Sequence, residues 1–486
     1  MAPTQTLNNK LTTSTIWSAI DKFGIVIMQF IINMVLARLL TPDDFGIVGM
    51  IIIIVAVSNI LSDGGFGAAL IQRDNPSEID FSTSLYANIA TSIILYITIY
   101  LSANFIASYL GIQELGIILR IISVVIVINS IGLVPKVKLR RTLAFKQIAI
   151  ANIIAYIIAA VSAIILAHKG FGVWSLVVMH ITNALFANLF ICIAARWIPS
   201  LTFSTKSIKE LFAYGEYMLV TDIISNICFH IQSTLIGKYF TPYVAGQYAQ
   251  AKKMEEVAAI TLPSAMNQVL FPIYSRNQNN KDELLRLLRF NTKMIAFFIF
   301  PIMIILIIVA KPLILILFGY KWIDSVLYFQ VLCIGGIWGS LQYFNYYAIA
   351  AIGKSKTLFN IGLFKGVFLI ASILICVHIN MYAVLFAIVL SNIVNYLTNA
   401  IIAQRHIGYR VIRQIADVLP MLIYSLLIGC IAYIALHIAD IHWVAVVFLY
   451  IITYLLVCYI GNKQFAIATK NYIERFLANT HITTKR

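Results

Sequence analysis

Residues 38–46 read RLLTPDDFG, and residues 238–246, at an offset of 200, read KYFTPYVAG. In both copies a basic residue is followed after three positions by Thr-Pro, and a glycine lies four residues after the proline. Proline breaks a helix beyond its first turn, and glycine tolerates turn conformations that other residues avoid. We therefore interpret each copy as the end of one helix and the start of the next, and the pair as a sign of two homologous halves.

The composition predicts an all-α polytopic membrane protein. The 486 residues are 61% hydrophobic and only 11% charged, with a mean hydropathy of +0.91. Soluble domains are about a quarter charged, and a bilayer core of ~30 Å needs about 20 apolar residues per helix. Runs of this length predict about fourteen spans, at 14–38, 45–66, 82–107, 114–134, 147–167, 171–195, 214–236, 246–272, 291–310, 325–351, 357–377, 382–403, 415–436 and 442–461.

The repeat divides these spans into two pseudo-symmetric six-helix lobes and a C-terminal addition. We expect a first lobe at 1–203 and a second at 204–410, followed by an extra transmembrane hairpin at 411–462. The tail at 463–486 alternates apolar and basic residues in its first part, which predicts a cytoplasmic amphipathic segment.

The net charge of +16 is explained by membrane topology. With a cytoplasmic N-terminus, most Lys and Arg residues lie in alternate connections and at the termini, above all in 135–147 and 273–293. The opposite connections hold only Arg38, Lys169, Lys238, Lys311 and Lys321. This is the positive-inside rule, so we predict that both termini are cytoplasmic and that lipid, not nucleic acid, surrounds the chain.

No motif points to catalysis or to a bound metal. The six cysteines lie singly inside predicted spans, which is typical of small core residues, and no P-loop, GxSxG or HExxH pattern occurs. We therefore expect no enzyme, no catalytic residues, no cofactor and no metal site.

Polar residues inside the predicted spans are the candidates for a transport pathway. A charge at the helix centre costs roughly 2.5–3.5 kcal/mol on insertion scales, so such residues usually face protein or water. Two spans carry polar stripes on one helix face: Lys22, Gln29 and Asn33 in the first, with Asp21 alongside, and Asp222 and Asn226 in the seventh. Lys22 and Asp222 are again 200 apart. The stripes predict pathway lining; the alternative is hydrogen bonding between helices of one lobe.

Three further cations are candidates for the same cavity. Lys253 lies on a different face of the eighth span from Lys252 and Glu256, which form an i,i+4 pair. Lys365, in the middle of the eleventh span, has no acidic neighbour at helical spacing and needs a partner from another helix or a wet cavity. Arg120 is assigned to the cavity as well, with outward snorkelling as the alternative.

The motif at residues 37–46 resembles the ARLL-(S/T)-P-x-(D/E)-F-G signature of Wzx/WzxC-type bacterial polysaccharide exporters. These belong to the multidrug/oligosaccharidyl-lipid/polysaccharide flippase superfamily. Further segments resemble the family in the same order, at 62–73, 134–146, 170–176, 235–238, 269–272 and 311–322.

The resemblance implies two six-helix lobes around a V-shaped cavity, and a monomer of the bacterial inner membrane. It implies that oligosaccharide linked to undecaprenyl pyrophosphate is flipped by alternating access. Basic residues of the first and eighth helices are expected to meet the pyrophosphate, here Lys22 and Lys253. Similar sequences often have another basic residue where this chain has Gln250.

A proton or sodium gradient is a candidate driving force for such a transporter. Four acidic residues are the candidates for ion coupling: Asp21, Asp222, Glu255 and Glu256. The residues assigned to turns and gates are Arg38, Pro42, Gly46, Asp63, Lys238 and Pro242. For Asp63, a salt bridge at the inner rim of the lobe is the alternative.

Two other functions compete with a lipid-linked oligosaccharide flippase. A drug or cation antiporter of the same fold needs a cavity of net negative charge, which the cations above disfavour. A membrane glycan polymerase or ligase needs a large outward loop with clustered Arg and His residues, and the chain has no such loop.

Overall fold

The computed structural model describes Trp17, residues 24–439 and residues 441–461, and every regular element in these segments is a helix. The helices are α1 (Gly24–Leu39), α2 (Pro42–Asp63), α3 (Phe66–Gln72), α4 (Glu78–Leu110), α5 (Leu115–Ile122), α6 (Val124–Arg141), α7 (Phe145–His168), α8 (Val173–Ala195), α9 (Thr205–Tyr239), α10 (Pro242–Ala259), α11 (Thr261–Arg276), α12 (Lys281–Ile308), α13 (Ala310–Leu317), a 3-10 turn (Tyr320–Trp322), α14 (Ser325–Ala351), α15 (Ser355–Cys376), α16 (Met381–Ile407), α17 (Val411–His437) and α18 (Trp443–Gly461).

The helices confirm the predicted all-α multi-span class. Within the described residues, 12 helices are long and apolar enough to cross a membrane, and α1 is a shorter apolar helix. This number is roughly consistent with the expected fourteen. The predicted tail at 463–486 lies outside the described residues.

The predicted eighth span, 246–272, is not one continuous helix. It is divided at Ile260 into α10 and α11. Pro263 has no backbone N–H, so it cannot bond to the carbonyl of Ala259 one turn earlier. The hydroxyl of Ser340 donates to that carbonyl instead, at 2.9 Å. The break therefore follows from Pro263, which leaves the carbonyl of Ala259 without a partner in its own helix, and α14 supplies that partner through Ser340.

The Thr-Pro repeat forms equivalent turns, as predicted. Helix α1 ends at Leu39 and α2 begins at Pro42, while α9 ends at Tyr239 and α10 begins at Pro242. In the first copy, the Thr41 hydroxyl accepts from the Asp44 backbone N–H at 3.4 Å, and the Asp44 carboxylate accepts from the Thr41 N–H at 2.9 Å. In the second copy, the Thr241 hydroxyl accepts from the N–H of Val244 at 3.2 Å. Both prolines occupy the first helical position, where no N–H is needed.

The chain divides into two compact units, Met1–Ala249 and Gln250–Arg486. Helix α9 thus falls in the first unit, whereas the predicted second lobe begins at residue 204. The boundaries of the lobes, hairpin and tail stay predictions.

Helices α7 and α8 pack closely in the first unit because α7 has a face of small residues. Alanines recur along this face at every fourth position, at Ala151, Ala155, Ala159, Ala163 and Ala167, and all are buried. Small side chains let helix backbones approach each other, which is the usual device of helix pairs in membranes.

In the second unit, an ion cluster around Asp417 joins α17 to α12. Arg289 donates from Nε and Nη2 to the two carboxylate oxygens at 2.7 and 2.8 Å, and Lys293 Nζ lies 3.1 Å from Oδ1. Tyr409 donates its hydroxyl to Oδ2 at 2.9 Å. Burial, and then the charge of Asp417, raises the pKa of the Tyr409 phenol, so the hydroxyl keeps the proton that it donates. These bonds attach α17, the first helix of the predicted extra hairpin, to α12 of the second unit.

Candidate functional site

Lys365 lies in a cavity of about 200 Å³ in the second unit. Its ammonium donates to Gln342 Oε1 at 3.3 Å, and no carboxylate of the described residues lies within ion-pair distance of it. Of the two alternatives predicted for Lys365, a partner from another helix and a wet cavity, the structure shows the partner, Gln342, and a cavity beside it; the role of Lys365 toward a substrate stays a prediction. The neutral amide of Gln342 accepts one hydrogen bond from Lys365 and leaves its other N–H groups available to the cavity.

Three helices build this cavity. Helix α14 contributes Gln342 and three tyrosines, α15 contributes one face with Lys365, and α16 contributes Asn399; the lining is Gln342, Tyr343, Tyr346, Tyr347, Leu358, Ile361, Gly362, Lys365 and Asn399. The α15 residues recur at spacings of three and four, so they lie on one side of the helix. A Cβ on Gly362 would meet no atom within 4 Å, because this position opens into the cavity.

Asn399 holds an unsatisfied acceptor at the cavity. The residue is fully buried, and its Nδ2 donates to the backbone carbonyl of Gln342 at 3.2 Å. Its Oδ1 has no hydrogen-bond partner among the described residues. The cavity thus presents a cationic donor and a neutral acceptor between aromatic walls.

A second cavity, of about 360 Å³, lies within the first unit. Its lining is rich in amides and contains two basic residues and no carboxylate: Ile52, Val55, Ala56, Asn59, Val125, Asn129, Lys136, Asn152, His180, Asn183, Ala184, Ala187, Asn188 and Ile191. Helices α2, α6, α7 and α8 provide these side chains.

Three of these asparagines form a directed chain of hydrogen bonds. Asn188 donates to Asn129 Oδ1 at 2.9 Å, and Asn129 donates to Asn59 Oδ1 at 3.0 Å. Asn59 donates in turn to the Val55 carbonyl at 2.9 Å. Gly132 permits the approach of α8, because a Cβ there would overlap the amide of Asn188. The chain fixes three helices at the cavity wall.

The charged run of α10 is arranged as its spacing predicts. Lys252 Nζ lies 3.8 Å from Glu256 Oε1, which confirms the i,i+4 ion pair. Glu255 faces α14, where a Cβ on Gly336 would lie 2.5 Å from its Oε1. Lys253 is partly buried on the same helix, and its assignment to an anion stays a prediction.

The two copies of the Thr-Pro turn touch each other within the first unit. A Cβ on Gly46 would overlap the carbonyl oxygen of Pro242, and a Cβ on Gly246 would overlap the carbonyl oxygen of Pro42. The contact is reciprocal, as expected of two related elements packed about a pseudo-twofold axis. The gating role assigned to these residues stays a prediction.

Several other predicted site residues that the structure describes line neither cavity. Asp21 and Lys22 are outside the described residues. On α1, Gln29 is partly buried and Asn33 is buried. On α9, Asp222 is exposed, and Asn226 donates to the backbone carbonyl of Asp222 at 3.0 Å. The second stripe is therefore hydrogen-bonded within its own helix.

Arginine and lysine residues at the helix ends contact aromatic rings. Arg120 donates to the Tyr100 carbonyl at 3.2 Å and stacks on that ring at 4.8 Å. The ammonium of Lys238 lies 3.3 Å from the centre of the Tyr109 ring. Arg38 is exposed. These contacts are cation–π pairs, and whether these residues also meet a substrate stays a prediction.

Asp63 caps a helix instead of forming a salt bridge. Its Oδ1 accepts from the backbone N–H of Gly67 at 2.9 Å, in the first turn of α3. No ion pair to Asp63 occurs among the described residues. The alternative interpretation of this residue as a rim salt bridge is therefore not supported.

The asparagines and Gln342 that line the cavities were missed by the sequence analysis. Their signal was the presence of single amides inside long apolar runs, but each amide alone is equally consistent with bonding between helices. In the described part of the chain, no three His, Cys, Asp or Glu residues come close enough to hold a metal ion.

The fold and the two cavities define a multi-pass helical membrane protein with hydrogen-bonding, carboxylate-free chambers in each unit. The chain belongs to the polysaccharide biosynthesis protein family, whose model matches residues 35–327. This confirms the resemblance identified in the motif at residues 37–46.

Several proteins of known name are similar to the chain in sequence. The succinoglycan biosynthesis transport protein ExoT of Rhizobium meliloti is 28% identical over 320 residues, which cover 66% of this chain and 65% of ExoT, just under two thirds of its length. The teichuronic acid biosynthesis protein TuaB of Bacillus subtilis is 25% identical, with 71% of each chain covered. The lipopolysaccharide biosynthesis protein WzxC of Escherichia coli is 23% identical, with 68% of each chain covered.

Solved structures share the fold at low sequence identity. Lipid II flippase MurJ in an inward closed conformation matches with a TM-score of 0.77 at 16% identity, covering 92% of this chain and 99% of MurJ. An inward-facing multidrug resistance MATE family transporter of the MOP superfamily matches with a TM-score of 0.61 at 16% identity, covering 80% of this chain and 98% of that one. These likenesses show that the chain has the fold of this transporter superfamily.

Proposed function

We propose that this protein is a flippase that carries oligosaccharide linked to polyprenyl pyrophosphate across the bacterial inner membrane. The family match over residues 35–327 carries the proposal, because the similar proteins ExoT, TuaB and WzxC are named for the biosynthesis or transport of succinoglycan, teichuronic acid and lipopolysaccharide. The fold shared with MurJ and MATE transporters supports movement by alternating access.

In this proposal, cations hold the pyrophosphate while the glycan crosses a hydrated path. Lys22 and Lys253 are the residues assigned to the pyrophosphate, and Lys365 is assigned to the substrate cavity. The polyprenyl tail stays in the bilayer, where its apolar surface costs nothing to solvate. Rocking of the lobes at 1–203 and 204–410 then exposes the cavity to one side and the other.

The coupling ion and the topology belong to the same proposal. A proton or sodium ion would be carried by one of the carboxylates assigned above: Asp21, Asp222, Glu255 or Glu256. Both termini are placed in the cytoplasm by the positive-inside distribution, and the protein acts as a monomer. The reciprocal turns at Pro42 and Pro242 form a gate.

A drug or cation antiporter of the same fold is the main rival. A lipophilic cation is stabilised by acidic partners, and neither described cavity is lined by a carboxylate; the tyrosines that line one cavity lie beside the ammonium of Lys365. A lysine lines each of the two cavities, and an ammonium group disfavours a cationic substrate. The cavities therefore favour an anionic or hydroxylated substrate.

The test is complementation of a strain that lacks the gene. The wild-type gene should restore surface glycan, and Lys365→Met should not. Loss of one charge-assisted contact, about 1.5–3 kcal/mol, predicts an export rate lower by about tenfold or more, with lipid-linked oligosaccharide accumulating inside. The matched control is Lys356→Met on the exposed face of the same helix, which should export normally.

An intact surface glycan in the strain without the gene would contradict the proposal. If that strain were also sensitive to lipophilic cations, the result would identify the antiporter. Immunoblots must show equal amounts of each variant in the membrane, so that a loss of glycan is not a loss of protein.

A further inference from the structure

The cavity around Lys365 has the hydrogen-bonding pattern of a ligand that both donates and accepts. The Lys365 ammonium has three N–H donors, of which one is used by Gln342 Oε1. Asn399 Oδ1 is a fully buried acceptor without a partner among the described residues. Because buried polar groups are normally satisfied, this acceptor calls for a donor that enters the cavity.

The walls of the cavity favour a ring with an apolar face. Tyr346 and Tyr347 meet edge to face with ring centres 5.4 Å apart, and both line the cavity together with Tyr343. Aromatic rings supply a flat apolar surface beside hydroxyl groups that both donate and accept. The open position at Gly362 leaves room above this surface.

We propose that this cavity is a saccharide subsite that takes one sugar ring of the transported glycan. A ring hydroxyl donates to Asn399 Oδ1, an oxygen of the ring or of an acidic substituent accepts from Lys365 Nζ, and the C–H face of the ring lies on the tyrosines. The cavity volume of about 200 Å³ suits a single sugar ring.

A ligand with only acceptors or only donors satisfies one of the two polar groups of the cavity and leaves the other without a partner. Pyrophosphate in its ionised form has acceptors alone, so it would satisfy Lys365 and leave Asn399 Oδ1 unpaired. An ammonium ligand has donors alone and would lie against the charge of Lys365. Vicinal hydroxyls have both functions, which is why the subsite is assigned to the glycan and not to the pyrophosphate.

The inference rests on the proposed function, but its test measures binding without transport. The purified full-length protein in lipid nanodiscs is mixed with glucose, galactose, N-acetylglucosamine, glucuronate or inorganic pyrophosphate. Saturation-transfer NMR, which detects millimolar binding, records transfer to the sugar protons, and phosphorus NMR line broadening records binding of pyrophosphate. At least one saccharide is expected to receive saturation, and the strength of its signal is compared among variants.

Gly362→Leu is the decisive variant, because it fills the cavity without removing any contact. The new side chain meets no existing atom at its Cβ, and leucine is a better helix former than glycine, so folding is preserved. Saccharide saturation should fall at least tenfold. Asn399→Leu should reduce it as well by removing the acceptor. The matched control is Asn360→Leu, an added leucine on the exposed opposite side of α15, which should bind as the wild type does.

The outcomes test the saccharide subsite and the flippase function independently of each other. No saturation of any saccharide, binding of pyrophosphate alone, or saccharide binding unaffected by Gly362→Leu would overturn the subsite. Saccharide binding that Gly362→Leu abolishes, in a protein whose deletion leaves surface glycan intact, would uphold the subsite and refute the flippase. Loss of surface glycan on deletion of the gene, together with normal saccharide binding by Gly362→Leu, would support the flippase and refute the subsite.

Discussion

A single methyl group at Gly46 should destabilise the protein, whereas the same group at Gly49 should stabilise it. Both glycines lie inside α2. A Cβ at Gly46 would overlap the backbone carbonyl of Pro242, which no side-chain rotation can move aside. At Gly49 the nearest atoms would be the Cβ atoms of Ser233 and Ala249, at 3.7 and 3.9 Å, which is ordinary contact. The two positions differ only in what the methyl group meets.

The expected magnitudes follow from two opposing contributions. Alanine improves on glycine in a helix interior by about 1 kcal/mol at both positions. Overpacking against fixed atoms costs about 1–3 kcal/mol, and only Gly46→Ala incurs this cost. The free energy of unfolding should therefore rise by about 0.5–1 kcal/mol in Gly49→Ala and fall by up to about 2 kcal/mol in Gly46→Ala. Their difference, about 1–3 kcal/mol, isolates the steric contribution because the helix propensity cancels.

The assay is thermal unfolding of the purified full-length variants in one detergent, followed by tryptophan fluorescence. Gly46→Ala should melt below the wild type and Gly49→Ala above it. Gly246→Ala, which would overlap the carbonyl of Pro42, should behave like Gly46→Ala because the contact is reciprocal. Equal melting temperatures for Gly46→Ala and Gly49→Ala would refute the close approach of the two turns.

Two further predictions concern buried polar clusters. Asp417→Ala leaves Arg289 and Lys293 facing each other without their carboxylate. The side chain of Asp417 is 9% exposed and those of the two cations are 29% and 27% exposed. The free energy of unfolding should therefore fall by about 3 kcal/mol, the low end for a broken buried pair. Asp282→Ala, at an exposed site in the first turn of α12, the helix of Arg289 and Lys293, should change stability by less than about 0.5 kcal/mol. A loss equal to that of Asp417→Ala would contradict the assignment. Asn129→Leu interrupts the amide chain and strands its two asparagine neighbours, which predicts a loss of about 1–3 kcal/mol in the same melting assay. An unchanged melting temperature would show that these amides contribute nothing to the first unit.

The helix boundaries at the repeat were predictable because their causes are local. Threonine caps the helix that follows, proline occupies a position that needs no N–H, and both effects act within four residues. The same chemistry therefore begins α2 at Pro42 and α10 at Pro242 without reference to the rest of the fold. Hydropathy likewise predicted the long spans, since a continuous apolar run is itself the signal.

The break between α10 and α11 was not predictable to the same degree. Pro263 signalled a local defect, but a transmembrane helix tolerates proline where a neighbour satisfies the freed carbonyl. The partner is Ser340, which is 81 residues from Ala259 along the chain. The residues that line the cavities could not be predicted for the same reason: their partners are distant in the sequence. The amide chain joins residues 70 and 59 positions apart, and no pattern within one helix encodes such pairs.

The partner of Lys365 shows why a buried cation here favours function over stability. A carboxylate at position 342 would neutralise the ammonium and compete with any ligand for its protons. Glutamine accepts one hydrogen bond and leaves the charge and two donors unspent. Polar groups without hydrogen-bond partners are costly in a protein interior, so they persist where water or a ligand completes their hydrogen bonds. The same reasoning applies to the unpaired oxygen of Asn399 at the same cavity. The cavity built by α14, α15 and α16 thus holds a donor, Lys365, and an acceptor, Asn399, that both lack partners for full hydrogen bonding. A polar substrate that enters the cavity explains this pair better than packing alone.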